Sequence, residues 1–428
     1  MAVTPEEHLS WILERVAPTP EIECDLRAPE ALGATVSRDV RARYDLPLWD
    51  NSAMDGYAVR AADVAGASTE TPRVLRVVGE VAAGSAEDPR IEPGAAVRIM
   101  TGAPLPGDAD AVVPVERTRV DGARDPSGAA AGRSGGDPHP WAESSVAVLA
   151  AAPRGANVRR RGEDVPAGTV LALPGQELTA ARIAALAAAG VQRVSVHRPP
   201  RVAVLTTGSE LRTGDGPLVR GQIPESNSLL IAGLLRESGV AAVETVRCPD
   251  DVAALRERLD DLARRCDAVV TTGGIGPGRH DIVRVALADE PGVRQVAVAV
   301  RPGRPQGAGR LSGGALLLAL PGNPVSAAVG FELFVRPAIL AMQGRERLQR
   351  TRVRAIAAAA WRGAPGRLQV LPVRVFEDPE LRCAPVVDPR GVSHAVGGHG
   401  AADGYALVDA ERGDVAAGET VTVMLVTR

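Results

Sequence analysis

Two stretches of the chain close on nearly the same residues, Leu205-Thr206-Thr207-Gly208-Ser209-Glu210 and Val270-Thr271-Thr272-Gly273-Gly274-Ile275-Gly276. In each, an apolar run reads as a buried strand and gives way to glycine. Open α/β sheets bind ligands beyond the carboxyl ends of their strands, where glycine lets backbone amides approach a phosphate. Each turn also delivers a carboxylate, Glu210 from the first and Asp281 from the second. One glycine-rich turn is weak evidence; two matching turns with acids predict a shared anion pocket. A third apolar run leads into Pro321-Gly322-Asn323-Pro324-Val325-Ser326. Asn323 is placed to cap and Pro324 to take the first helical position, leaving a helix N-terminus open to an anion. The same residues would equally serve as a rigid turn. Upstream, Arg301-Pro302-Gly303-Arg304-Pro305 sets two guanidinium groups on a stiff backbone, suited to forked oxyanion contacts or to a solvated charged turn.

Nearer the N-terminus, Asp50-Asn51-Ser52-Ala53-Met54-Asp55-Gly56-Tyr57-Ala58-Val59 combines small polar residues with two carboxylates. Such a loop can hold a hard cation such as Mg²⁺ through oxygen, or form an ordinary Asp-Gly turn with Tyr57 packed behind it. Arg98-Ile99-Met100-Thr101-Gly102-Ala103 adds an exposed hydroxyl, and Arg159-Arg160-Arg161-Gly162-Glu163-Asp164 a basic cluster with a carboxylate pair. The histidines are His8, His139, His197, His280, His394 and His399; none has H-E-x-x-H spacing, and only His280 lies in a candidate loop. No G-x-S-x-G elbow or Ser-His-Asp arrangement supports hydrolase nucleophile chemistry.

Composition narrows the classes further. All 49 basic residues are arginine, which removes a Schiff-base or P-loop lysine. A net charge of -3 and only 3 Phe, 3 Tyr and 4 Trp disfavour nucleic acid, which needs clustered cations or stacking platforms. Cys24, Cys248, Cys266 and Cys383 are scattered, predicting neither a zinc knot nor a disulfide framework and fitting a reducing cytoplasm. No signal peptide or membrane span is expected.

The elements that must position these residues follow from periodicity. A helix is expected over 5–17, then β-rich texture to about 120, with a flexible insert at 121–145. From about 175, strands and helices alternate: helix 179–189, strand 201–206, helices 227–238 and 250–265, strands 267–271 and 316–320, and helix 324–342. This predicts a three-layer parallel α/β domain. After 348, alternating strands predict a small C-terminal β-barrel.

Together DNSAMDGYAV (50–59), RIMTGAPLPGDADAVVPVE (98–116), RRRGEDVPAG (159–168), TTGSEL (206–211), RPGRP (301–305) and LPGNPVSA (320–327) resemble the MoeA and gephyrin E-domain family of molybdopterin molybdenumtransferases. The matches run in the family's order from about residue 5 to the C-terminus. The resemblance implies an elongated homodimer of multi-domain subunits. Each would have a MogA-like α/β/α molybdopterin-binding domain (1–18 and 175–347), a linker domain (19–45 and 146–174), a β-rich domain (46–145) and the C-terminal barrel (348–428). The implied reaction takes adenylyl-molybdopterin and molybdate, inserts the metal at the dithiolene and releases AMP with Mg²⁺. The implied partners are a MogA-like adenylyltransferase and recipient molybdoenzymes.

Carried over by position, the family's catalytic residues fall on Asp55, Thr101, Asp164, Glu210 and Asp281, with Asp55, Asp281 and Glu210 toward metal. Cofactor contacts fall on Gly208, Ser209, Asp250, Gly273, Gly274, Gly276, Arg301, Arg304, Pro321, Gly322, Asn323 and Pro324. Family active sites combine the α/β domain of one subunit with the β-rich domains of the other. The sequence departs from the family at Gly276, where Ser is usual, at Glu225, where Asp is usual, and at Gln306, Gly307 and Arg310, where aromatics and a Lys often follow. Arg301 and Arg304 stand where lysines are common. Two other readings therefore stand beside the transferase: a paralogue that binds molybdopterin or a partner protein without turnover, and a MogA-like adenylyltransferase.

Overall fold

The structure, a computed structural model, describes residues 2–120, 143–278 and 281–426. Most of the expected insert, together with His139 and His280, lies outside the described residues. The chain forms two compact units: one of 1–39, 172–180 and 193–428, the other of 40–171 and 181–192.

The first unit is built on a six-stranded sheet. Its strands are β1 (Val202–Thr207), β2 (Val243–Cys248), β3 (Ala268–Thr272), β4 (Val293–Ala297), β5 (Pro305–Arg310) and β6 (Leu316–Leu320), in spatial order β2-β1-β3-β6-β5-β4. The first four in that order are parallel, but β5 runs antiparallel to both β6 and β4, so the wholly parallel sheet expected from sequence becomes a mixed one. The reason lies in β5, which reads Pro-Gln-Gly-Ala-Gly-Arg and lacks hydrophobic alternation. Gly309 sits at φ 147° with its Cα so near β4 that a Cβ would meet the Gly292 carbonyl oxygen at 2.0 Å. Only glycine permits that approach.

Strand residues alternate between two cores, as a pleated sheet covered on both faces requires. Val202, Val204, Val270, Leu316 and Leu318 face α2 (Asn227–Glu237) and the long helix α5 (Pro324–Met342). Ala203, Leu205, Val269, Leu317 and Ala319 face α3 (Val252–Arg265) and α4 (Ile282–Ala286). Helix α1 (Pro5–Leu13) opens on a capping box between Thr4 and Glu7 and buries Ile12 in the first of these cores. α3 begins two residues later than expected because Asp251 caps it, accepting from the Ala254 amide at 2.7 Å, and Asp250 is left outside the helix.

The C-terminal strands Arg352–Ala357, Leu368–Asp378, Glu380–Pro385, Gly404–Val408 and Thr420–Leu425 close into a barrel, with Gly404–Val408 completing the ring against Leu368–Asp378. Val300–Arg301 adds a parallel pairing to Leu368–Gln369. Barrel residues Ala355, Val370, Tyr405 and Val423 belong to the same core as α5. α5 has the length and apolarity of a membrane span, yet 83% of that stretch is buried in protein. It is a core helix, interrupted by a π-helical turn over Phe331–Val335. That turn carries Glu332, whose side chain is 1% exposed and accepts a fork from Arg350 at 2.9 and 3.0 Å.

The second unit centres on a mixed sheet in the order Ala111–Pro114, Gly56–Val59, Ala95–Ile99, Arg73–Val81, Ser145–Val148, Thr118–Arg119. Tyr57 and Val59 enter one core of it, Ala58 and Val97 another. A Cβ on Gly56 would lie 2.1 Å from the Val113 carbonyl oxygen, so the glycine after Asp55 is fixed by strand pairing.

Removing one partner of a buried charge pair strands the other, so Glu332→Ala is expected to destabilise the protein by about 3–5 kcal/mol. Glu332→Met/Arg350→Leu should recover much of that loss in denaturant unfolding. Equal loss in the single and double variants would contradict the account.

Candidate functional site

The carboxyl ends of β1, β3 and β6 and the turns that follow them enclose a cleft of about 770 Å³. Glycine builds its floor. A Cβ on Gly273, at φ 90°, would lie 2.9 Å from the Thr207 carbonyl oxygen, and one on Gly322 would lie 3.3 Å from the Gly273 Cα. The three strand-end turns therefore touch through backbone, and side chains at these positions would wedge them apart. Asn227, at the start of α2, donates from Nδ2 to the Gly322 carbonyl at 2.7 Å and ties a fourth element to the same point.

The acids are placed by these turns. The Glu210 carboxylate folds back over Gly208, where a Cβ would meet Oε2 at 2.6 Å. Asp250, freed from α3, accepts from the Ser209 amide at 2.8 Å and latches the first turn to the end of β2. Asp281 accepts from the Gly278 amide at 2.5 Å and leans over Gly276, where a Cβ would lie 3.0 Å from its Oδ2. Serine at 276 would press on that carboxylate, which gives the departure at Gly276 a steric meaning. Glu225 also lines the cleft but is occupied, accepting from the amide and hydroxyl of Ser228 at the start of α2. Asn323 stands at the N-cap of α5 without a side-chain cap, followed by Pro324, so the first helical amides are not capped by that side chain.

Of the residues singled out from sequence, Gly208, Glu210, Asp250, Gly273, Gly274, Gly276, Asp281, Pro321, Gly322, Asn323 and Pro324 line this one cleft. Ser209 stands behind it through its amide. Arg301 and Arg304 are placed elsewhere. Arg301 donates from Nη2 to the carbonyls of Pro389 and Arg390 at 3.3 and 3.4 Å. Arg304 lines a separate hollow of about 370 Å³ with Arg284, Gln295 and Gln306. Gln306, 2% exposed, donates to the Gly303 carbonyl at 2.7 Å and so holds the RPGRP turn from below. Sequence reasoning missed Asn227 and the barrel residues His394 and Val396 as lining residues. Asn227 opens a helix expected from sequence, but no spacing links His394 to the turns.

Asp55, Thr101 and Asp164 belong to the second unit. Asp55 Oδ1 accepts from the Thr101 amide at 2.7 Å and its hydroxyl at 2.8 Å, and these bonds hold its carboxyl below the ordinary range. Asp164 is exposed. The neighbouring arginines are engaged: Arg161 Nε with Asp45, and Arg160 with Asp50, each at 2.5 Å. Tyr57 packs behind the Asp-Gly turn, its hydroxyl donating to Glu143 at 2.6 Å, and burial pushes its phenol up to about 12.

Among the described residues no three His, Cys, Asp or Glu side chains gather as a metal cage. Mg²⁺ rarely has one, since it keeps waters and takes one or two carboxylates plus substrate phosphates. Glu210, Asp250 and Asp281, among the residues lining the cleft, are carboxylates of the kind that donor set uses.

A family model described as the MoeA N-terminal region (domains I and II) matches residues 3–190, a probable molybdopterin binding domain matches 203–341, and the MoeA C-terminal region (domain IV) matches 354–426. Molybdopterin molybdenumtransferase 2 of Mycobacterium tuberculosis is 42% identical over 321 residues, 74% of each chain. The molybdopterin molybdenumtransferase of Haemophilus influenzae is 31% identical over 425 residues, 98% of each. The crystal structure of the molybdopterin biosynthesis MoeA protein from Pyrococcus horikoshii superposes with a TM-score of 0.81 at 26% identity, covering 99% of this chain and 100% of that one.

Thr101→Val removes one of the two donors on Asp55, so its carboxyl should titrate higher than in the unaltered protein. A depressed carboxyl stabilises the fold above its unfolded value and loses that contribution as pH falls through the folded one. The variant should lose part of this contribution, read by an NMR titration of the Asp55 carboxyl carbon. An unchanged titration would leave the amide as the whole cause.

Proposed function

The chain belongs to the MoeA family of molybdopterin molybdenumtransferases, and from that premise we propose that it inserts molybdenum from molybdate into adenylylated molybdopterin and releases AMP. The observation that carries this reading is the cleft where three strand-end turns meet, because it offers two kinds of recognition in one place. Glycine-turn amides and the first turn of α5 present donors suited to phosphate oxygens. Glu210, Asp250 and Asp281 present carboxylates on the same surface.

Carboxylates facing a phosphorylated substrate repel it unless a cation lies between them. That conflict supports Mg²⁺ dependence: bound there, the ion would neutralise phosphate charge and ease rupture of the phosphoanhydride. The protein's own part is to hold the three turns in contact, to orient Asp281 through the Gly278 amide, and to fix the first turn through Asp250. The dithiolene sulfurs that take the metal belong to the substrate, so the chain needs no thiol. Consistent with this, Cys24, Cys248 and Cys383 are buried, and burial raises each thiol.

The carry-over of Asp55, Thr101 and Asp164 to the same reaction forms part of this proposal, as do assembly as a homodimer and work in the cytoplasm. Light scattering of the purified protein should give twice the mass of one chain; a monomer would remove the dimer from the proposal.

The deciding assay follows AMP release and cofactor formation from adenylylated molybdopterin, molybdate and Mg²⁺. Asp281→Ala should lower turnover by about 100-fold or more, while losing one hydrogen bond costs about 1 kcal/mol of stability. Asp55→Ala should behave alike. Folded wild-type protein that binds molybdopterin without AMP release would favour the non-catalytic paralogue, and ATP-dependent adenylylation of molybdopterin would favour the MogA-like alternative.

A further inference from the structure

Among the described residues lining the cleft, acidic side chains are Glu210, Glu225, Asp250 and Asp281, and the one basic side chain is His394. It reaches the cleft from the barrel, at the end of a short 3₁₀ turn over Val392–His394. Val392 is 3% exposed and sits in the core shared with α5, which fixes the turn against that helix. Arg301 tightens the approach by donating to the carbonyls of Pro389 and Arg390 just upstream. The imidazole lies over Gly391, where a Cβ would come within 3.2 Å of Cε1.

The same loop carries a second histidine with a different fate. His399 Nε2 is hydrogen-bonded to the buried Tyr405 hydroxyl at 2.7 Å, and burial lowers its basicity, so it is engaged in packing on the barrel. His394 is exposed, and neither of its ring nitrogens is hydrogen-bonded among the described residues. An anchored backbone that presents an unengaged imidazole to a cleft is the arrangement of a binding group rather than of a packing residue.

We propose that His394 is a substrate-binding residue, contributed by the barrel, that donates a hydrogen bond to a phosphate oxygen of the ligand held in the α/β cleft. The inference rests on the transferase reading above and deepens it. The α/β domain then supplies amides and acids, and the barrel adds a basic side chain to the lining.

The test uses the full-length protein, with AMP and Mg²⁺ as the equilibrium probe and adenylylated molybdopterin as the kinetic one. His394→Ala should raise the Kd for AMP and the KM for substrate by about tenfold or more, in line with loss of a charge-assisted hydrogen bond. The melting temperature should stay unchanged, because the ring makes no internal bond. His394→Arg, which restores a donor, should recover most of the affinity. Unchanged Kd and KM in His394→Ala, with wild-type binding intact, would overturn the role of His394 and leave the transferase reading standing. Wild-type protein that neither binds AMP nor turns over would overturn both.

Discussion

The burial of one helix organises the first unit. α5 leaves the edge of the cleft at Pro324, and its Val325, Val329, Phe334 and Ile339 all lie in one core that takes in residues of both sheet and barrel. An apolar helix of this length has no stable place in water except between two other layers. Sheet and barrel therefore share a core, and what the barrel carries is held at fixed distance from the strand ends. The π-helical turn belongs to the same constraint. It is where the helix presents a charged residue in the middle of its apolar run, and Glu332 can occupy that place because Arg350 meets it with a fork.

The second constraint is the contact of three turns at the cleft floor. Thr207, Gly273 and Gly322 approach so closely that backbone meets backbone. Little room is left for side chains at that floor, so it presents backbone, and the carboxylates stand beside it. Glu210, Asp250 and Asp281 are each tied down or folded back by the turn that carries them. Their directions are set before any ligand arrives, which reduces the ordering that binding must otherwise impose.

Much of this was legible in sequence because it rests on local rules. Apolar runs ending in Thr-Thr-Gly and Pro-Gly-Asn-Pro announce strand-to-turn transitions, and nearly all the glycines and acids they carry do line one cleft. What escaped was non-local or lacked pattern. β5 has glycines in place of hydrophobic alternation, so nothing in the sequence marks the sheet's antiparallel edge. The direction taken by Arg301 depends on a barrel loop almost ninety positions away, and proximity in sequence to Arg304 suggested a shared role that the fold does not give them. His394 escaped for the same reason, since its place in the cleft is decided by how Val392 packs on α5.

Each departure from the family pattern has a definite place in the structure. Glu225 reaches the Ser228 amide and hydroxyl, so one more methylene than aspartate still serves the start of α2. Gly276 makes space for a carboxylate that serine would crowd, and Asp281 accepts from the amide of the next glycine, Gly278. Gln306 exchanges an aromatic surface for a buried amide that holds the Gly303 carbonyl. Arginine at 301 fits the same account. A guanidinium can address two neighbouring carbonyls in one plane, where an ammonium offers a compact charge. Through that contact the RPGRP turn grips the loop that leads to His394. In a chain without lysine this position thus joins the sheet's RPGRP turn to the barrel loop.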